Sequence, residues 1–185
     1  MKAKEVGEKI KSLQKFIDTK SLDGLYISSF DIFLSEYVPL GDNHRYYVSG
    51  FSGSVAEVLI PKTGRALLFV DGRYHEQADK EVDQSIVEVV KVPYGVDLAK
   101  ALIQKGKEIG IKNLGIEGDR APLGFEKELG REFEVVAFDL GEVAKLIDAP
   151  GFVTDSEVKA VADTLTGETV KSKIKKVVGK GEGFF

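Results

Sequence analysis

Short apolar runs alternate with helical patterns through about the first 140 residues, and this alternation constrains the fold more than any other feature of the sequence. Runs of about four to eight residues that end at Gly, Pro or polar positions are typical of buried strands. The predicted strands are Leu25–Ser28, Val55–Ile60, Ala66–Val70, Ser85–Val92, Asn113–Glu117 and Glu132–Phe138. Because helical segments lie between them, the sequence predicts an α/β fold, with a mixed β-sheet flanked by helices.

The helical segments are recognised by apolar residues that recur every three or four positions. The predicted helices are residues 1–18, a brief helix capped by Asn43, Tyr74–Val82, Val96–Ile109 and a helix that begins at Pro122 and ends at Gly130. In the fourth of these, Leu98, Leu102, Ile103 and Ile109 are predicted to face the core. Pro61–Gly64, between two strands, predicts a hairpin turn.

The tail of the sequence has a different pattern. From residue 155 onward it predicts helices alone, and its last helix carries Val170, Ile174 and Val177 on one side. A glycine-rich turn and two phenylalanines, Phe184 and Phe185, then resemble the first residues of a strand. We therefore expect residues 1–150 to form one domain, and residues 151–185 to be a linker and the truncated start of a second domain.

Composition narrows the function classes. The 26 basic and 30 acidic residues give a net charge of −4, which disfavours nucleic acid as the main partner. No cysteine is present, so disulfides and thiolate metal sites are excluded. The first residues lack the apolar core of a signal peptide, and no apolar stretch approaches the roughly 18 residues of a membrane span. We expect a soluble cytoplasmic protein that binds neither nucleic acid nor membrane.

The sequence offers no complete catalytic site. His44 and His75 are the two histidines, and neither has the spacing of a zinc motif. Ser49, Ser52 or Ser54 could be combined with a histidine into a nucleophilic triad, but the G-x-S-x-G turn that presents a nucleophilic serine is absent. The sequence therefore predicts no catalytic residue and no metal ligand in this chain.

Two polar clusters remain. One is Ser35–Tyr37 followed by Asp42 and His44–Tyr47, and the other is the corner Asp71–Tyr74, where a buried strand stops and a helix begins. Arg73, in the second cluster, has two interpretations. It could form a surface ion pair with Asp71 or Glu76, or it could present its planar donors to a carboxylate or peptide carbonyl of another molecule or domain.

Both clusters carry a family resemblance. The segments "SSFDIFLSEYVPLGDNHRYYVSGFSGSVAEVLI" and "ALLFVDGRYHEQADKEVD" resemble the N-terminal domain of aminopeptidase P, the Xaa-Pro aminopeptidases of the creatinase/prolidase superfamily. The shared positions are Asp31, Ser35–Tyr37, Arg45, Val48–Phe51, Gly53–Ser54 and Asp71–Tyr74. His44 and Phe30 depart from the family pattern.

The resemblance implies a domain that precedes a metal-bearing catalytic domain, with a second domain similar to the first between them. The family's five metal ligands lie in the catalytic domain and match no position here, so the divalent metal, expected to be manganese, would be bound outside this chain. The family's Asp-Gly-Arg-Tyr arginine helps bind the substrate peptide, which implies a substrate-binding role for Arg73. Asp42, His44 and Arg45 are candidates for residues that face the same cleft.

The resemblance thus implies the non-catalytic N-terminal region of a metal-dependent Xaa-Pro aminopeptidase, which shapes the substrate cleft. Its substrate would be a peptide with proline at the second position, and the full-length protein would be a homodimer. The isolated chain is expected to be inactive. Two alternatives stay open: a stand-alone module for protein interactions, and the N-terminal domain of another superfamily member such as a prolidase or creatinase.

Overall fold

The computed structural model describes residues 3–151, 157 and 159–179, and the backbone alone at Leu140. The chain divides into two units, and the boundary between them lies between residues 153 and 154. The predicted strand at Phe184 and Phe185 lies outside the described residues. That residues 151–185 begin a second domain stays a prediction.

The first unit contains six strands and six α-helices in its described residues. The strands are β1 (Gly24–Ile27), β2 (Glu57–Pro61), β3 (Ala66–Val70), β4 (Val87–Lys91), β5 (Asn113–Glu117) and β6 (Glu134–Phe138). The helices are α1 (Ala3–Thr19), α2 (His44–Ser49), α3 (His75–Glu81), α4 (Leu98–Glu108), α5 (Leu123–Leu129) and α6 (Leu140–Leu146). A 3₁₀ turn, Leu40–Asp42, precedes α2.

The six strands form one mixed sheet in the order β4-β3-β2-β1-β5-β6. Strand β2 is antiparallel to both β1 and β3, whereas the remaining neighbours are parallel. The antiparallel pair β2–β3 is the predicted hairpin. The predicted fold class, a mixed β-sheet flanked by helices, is therefore confirmed.

Side chains on the two faces of the sheet form two apolar cores. Strand β3 contributes to both: Leu68 faces the core beneath α1, α2 and α6, whereas Leu67 and Phe69 face the core beneath α4 and α5. Successive strand residues point to opposite faces, and an uninterrupted apolar run is what a strand covered on both sides requires. The sheet is thus a rigid base for the loops at its edges.

Local signals account for both ends of α2 and for the start of α4. Asn43 caps α2 through a hydrogen bond in which the backbone N–H of Tyr46 donates to its side chain, at 3.0 Å. Gly50 ends the same helix with φ of 75°, a conformation that favours glycine. Asp97, rather than Val96, caps α4, because its carboxylate accepts from the backbone N–H groups of Ala99 and Lys100.

Three predictions about helices were wrong or incomplete. Ile109, predicted to be buried, is 43% exposed because it lies past the last turn of α4. Helix α6 was not predicted, since it is seven residues long and contains Gly141. In the second unit the described residues form α7 (Asp163–Thr166) and α8 (Val170–Gly179). The sequence also predicted helix at residues 159–162, but these residues are not helical.

Candidate functional site

Polar side chains concentrate at one edge of the sheet. Strands β1, β3, β4, β5 and β6 run in one direction, so their carboxyl ends lie along the same edge. Ser28, Asp71 and Glu117 stand at or just after these ends, and Glu57 begins the antiparallel β2 there. In α/β sheets this edge is where ligands generally bind. The edge is therefore the candidate site.

The Arg73 corner follows β3 directly and faces outward. Arg73 Nη2 lies 2.7 Å from Asp71 Oδ2, and its Nε lies 3.1 and 3.2 Å from the two carboxylate oxygens of Asp71. The Arg73 side chain is nevertheless 67% exposed. Its hydrogen bonds with the carboxylate lower the pKa of Asp71. The ion pair with Asp71 is confirmed, whereas Glu76 pairs with Lys80 at 3.7 Å.

The same ion pair leaves part of the Arg73 guanidinium available. A guanidinium carries five N–H donors, and Asp71 engages only the edge formed by Nε and Nη2. Within the described part of the chain, Nη1 has no hydrogen-bond partner. The remaining edge therefore matches a carboxylate or a peptide carbonyl. The substrate-binding role of Arg73 stays a prediction.

Arg45 lies in the interior and does not face a cleft, which corrects that expectation. Its Nε donates to Ser29 Oγ at 3.0 Å, and its two terminal nitrogens donate to the carbonyl oxygens of Phe51 at 2.9 Å and Gly53 at 2.5 Å. The residue is 0% exposed, and this burial lowers the pKa of its guanidinium to about 10. Each of its three nitrogens has a partner within the chain, so Arg45 holds loops together.

Asp42 forms a buried ion pair with Arg120, and His44 lies beside Glu117 in a second buried polar pair. Arg120 Nη2 donates to Asp42 Oδ1 at 2.5 Å, and its Nη1 also reaches the backbone carbonyls of Asp42 and Phe30. The Nδ1 atom of His44 lies 2.5 Å from Glu117 Oε1. Sequence reasoning missed Arg120 and Glu117, although a glutamate that ends an otherwise apolar strand is a signal of a buried partner.

A cavity lies beside these pairs. It has a volume of about 420 Å³, and Asp42 and His44 line it together with the apolar residues Ile32, Phe33 and Ala144. The prediction that Asp42 and His44 face a cleft stays a prediction. Arg120 and Glu117 already bind Asp42 and His44, so only the atoms of Asp42 and His44 that border this cavity could contact a ligand.

Glu57 is a half-buried acid at this edge. Tyr26 Oη donates to Glu57 Oε2 at 2.7 Å, and both residues line a cavity of about 390 Å³ together with Asp71 and Phe125. Burial raises the pKa of Glu57 from 4.5 to about 7, although the hydrogen bond from Tyr26 and the charge of Arg45 oppose the rise. The carboxyl group therefore changes charge near neutral pH.

We expect the free energy of unfolding to fall by about 1–3 kcal/mol as pH rises from about 4.5 to 7. One unit of pKa shift is worth about 1.4 kcal/mol, and the partial exposure of Glu57 reduces the total. Within this window the folded state keeps a proton on Glu57 that the unfolded chain has released. Urea unfolding at a series of pH values should show this slope in the wild type and a flatter profile in Glu57→Gln. Glu76→Gln, at an exposed acid, is the control, and equal slopes in all three proteins would contradict the assignment.

In residues 3–151, 157 and 159–179, no three His, Cys, Asp or Glu side chains are grouped so that they could hold a metal ion. No helix in the same residues is long and apolar enough to cross a bilayer.

Comparisons by sequence point to one family. The Creatinase/Prolidase N-terminal domain matches residues 9–154. A probable Xaa-Pro aminopeptidase P from Aspergillus fumigatus is 28% identical over 174 residues. The aligned region makes up 90% of this chain and 26% of that protein, so the chain spans about a quarter of this relative.

Solved structures share the fold. An X-prolyl aminopeptidase from Caenorhabditis elegans, described as a cytosolic enzyme with a di-nuclear active site, has a TM-score of 0.69 and 21% identity, over 95% of this chain and 31% of its own. An Xaa-Pro dipeptidase from Bacillus anthracis has a TM-score of 0.61 and 28% identity, over 76% of this chain and 35% of its own. The former likeness concerns the fold alone.

Proposed function

The chain belongs to the creatinase/prolidase N-terminal domain family, and from this membership we propose that it is the non-catalytic N-terminal region of a metal-dependent Xaa-Pro aminopeptidase. In this proposal the chain shapes the substrate cleft, and Arg73 anchors the substrate peptide. The substrate is a peptide with proline at the second position. In this proposal the full-length enzyme is a cytoplasmic homodimer that uses manganese.

The exposed Arg73 corner carries the proposal. The free guanidinium edge of Arg73 lies at the carboxyl end of β3, on the side of the sheet where ligands of α/β proteins generally bind. Asp71 binds one edge of the Arg73 guanidinium, so the other edge is free to donate to a carbonyl or a terminal carboxylate. The ligand would be a peptide, which offers such groups along its whole length.

The metal is assigned to a part of the protein outside this chain. The described residues contain no group of side chains that fits a metal ion. When bound, the metal would supply the activated water that attacks the bond before proline. This chain's own residues would bind and orient the peptide, and the 185-residue chain alone is expected to release no amino acid.

In the longer protein that carries this chain, Arg73→Ala is expected to weaken peptide binding by about 1.5–3 kcal/mol, the usual contribution of a hydrogen bond to a charged group. The measurement is the dissociation constant of an Xaa-Pro peptide of five residues. Arg65→Ala is the matched control. Arg65 pairs with Glu88 at 2.7 Å in a similarly exposed ion pair, but it lies before β3, at the opposite end of that strand.

Equal affinity of the Arg73→Ala and wild-type proteins would contradict the substrate role and favour a module for protein interactions. The likeness to the Bacillus anthracis Xaa-Pro dipeptidase at 28% identity supports a second candidate, the N-terminal domain of a prolidase. Substrate length separates the two enzymes. An aminopeptidase would cleave the five-residue peptide, whereas a dipeptidase would cleave only the Xaa-Pro dipeptide.

A further inference from the structure

The loop that contains Phe51 and Ser54 contacts the Arg73 corner at Tyr74. Ser54 Oγ and Tyr74 Oη lie 2.6 Å apart, within hydrogen-bond distance. The Phe51 ring meets the Tyr74 ring edge to face, with centroids 5.6 Å apart and an interplanar angle of 84°. Tyr74 is therefore held at its hydroxyl by Ser54 and along its ring by Phe51.

The Tyr74 ring in turn contacts the arginine. The guanidinium carbon of Arg73 lies 5.4 Å from the centre of this ring, a distance at which a cation is attracted to an aromatic face. Asp71 thus binds one edge of the Arg73 guanidinium, and the guanidinium carbon lies over the Tyr74 ring. If the Tyr74 ring rotated freely, Arg73 would keep its hydrogen bonds with Asp71 but would lose its contact with the aromatic face.

The loop that holds Tyr74 is itself fastened to the core. Arg45 donates to the carbonyls of Phe51 and Gly53, the two residues that lie against Tyr74. At Gly53 a Cβ atom would lie 2.3 Å from Phe51 Cζ and 2.9 Å from Tyr74 Cδ1, so only glycine permits this close approach. A chain of contacts therefore runs from the buried Arg45 to the exposed Arg73.

We propose that Ser54 is a positioning residue, which acts through Tyr74 to hold the Arg73 guanidinium in the orientation that receives the peptide. A side chain that is ordered before binding loses less conformational entropy when its ligand arrives. Ser54 touches no substrate group in this proposal, and its effect passes through the Tyr74 ring. The consequence for peptide binding rests on the proposed function, whereas the ordering of Arg73 does not.

The first test uses the 185-residue chain itself. The ¹⁵N–{¹H} NOE of the Arg73 Nε–H group reports how firmly the guanidinium is held on the picosecond to nanosecond timescale. Ser54→Ala and Tyr74→Phe, which each remove one partner of the hydrogen bond, are expected to lower this NOE. Ser54→Thr keeps a hydroxyl and should restore it. Ser85→Ala, which removes an exposed hydroxyl bonded to Asp83, is the control. An NOE that stays at the wild-type value in both variants would overturn the proposal.

The second test uses the longer protein and an Xaa-Pro peptide. Ser54→Ala is expected to raise KM about three- to tenfold, the range of a single hydrogen bond, with kcat unchanged. A purely structural role would lower kcat and protein stability together. In an Arg73→Ala background the Ser54→Ala change should have no further effect on KM, since its effect passes through Arg73. A further rise would overturn the proposal.

The two proposals fail in different ways. If Arg73→Ala leaves KM unchanged, the proposed function fails, and the NOE still decides whether Ser54 orders the corner. If Arg73→Ala raises KM while Ser54→Ala and Tyr74→Phe leave it unchanged, Arg73 binds peptide and the positioning role of Ser54 is wrong.

Discussion

Replacing Arg120 with methionine is expected to lower the free energy of unfolding by about 3–5 kcal/mol, the usual cost of removing one partner from a buried ion pair. Arg120 is 2% exposed, and it donates to the Asp42 carboxylate and to the backbone carbonyls of Phe30 and Asp42. Methionine fills a similar volume without any donor. The variant therefore leaves the Asp42 charge and two carbonyl oxygens without their partner in a region with little access to water.

Urea unfolding followed by tyrosine fluorescence measures this loss, since the chain has six tyrosines and no tryptophan. Arg131→Met is the matched control, because Arg131 is exposed and its replacement should change stability by less than about 0.5 kcal/mol. The double variant Arg120→Met/Asp42→Asn removes both charges. It should lose less stability than the sum of the two single changes. A loss below about 1 kcal/mol for Arg120→Met would show that the pair does not hold the fold.

The position of Arg120 also explains which parts of the structure could be predicted from the sequence. The six strands have local signals, since each is a short apolar run bounded by turn residues. The pair Arg120–Asp42 joins residues 78 positions apart, and His44–Glu117 joins residues 73 apart. No local pattern encodes such pairings, because they depend on which strands become neighbours in the sheet.

The candidate site likewise has one part that the sequence could predict and one part that it could not. The Asp71–Tyr74 corner could be predicted because a charged turn follows an apolar run, and the exposed guanidinium of Arg73 agrees with that prediction. The expectation for Arg45 was wrong because an arginine in the first turn of a short helix gives no local sign of burial. The hydrogen bonds that satisfy its guanidinium are accepted by the carbonyls of Phe51 and Gly53 in the loop before β2.

Arg45→Met is the second change with a large expected effect, a loss of about 2–4 kcal/mol in the free energy of unfolding. Removing the guanidinium leaves the carbonyls of Phe51 and Gly53 without their donor, and each unsatisfied buried group costs about 1–3 kcal/mol. Relief from burying a charge offsets part of this loss. Arg45→Lys should recover little of it, because an ammonium group cannot reach the same acceptors as the planar guanidinium.

The same variant provides a second, independent readout. The charge of Arg45 opposes the rise in the pKa of Glu57, so its removal should move the Glu57 pKa further above 7. The fall in stability with rising pH would then extend to higher pH in Arg45→Met than in the wild type. In Arg45→Met/Glu57→Gln the extension should disappear while the loss of stability remains. If the pH profile of Arg45→Met keeps the wild-type window, Arg45 and Glu57 are not coupled, and Arg45 supports the loop through hydrogen bonds alone.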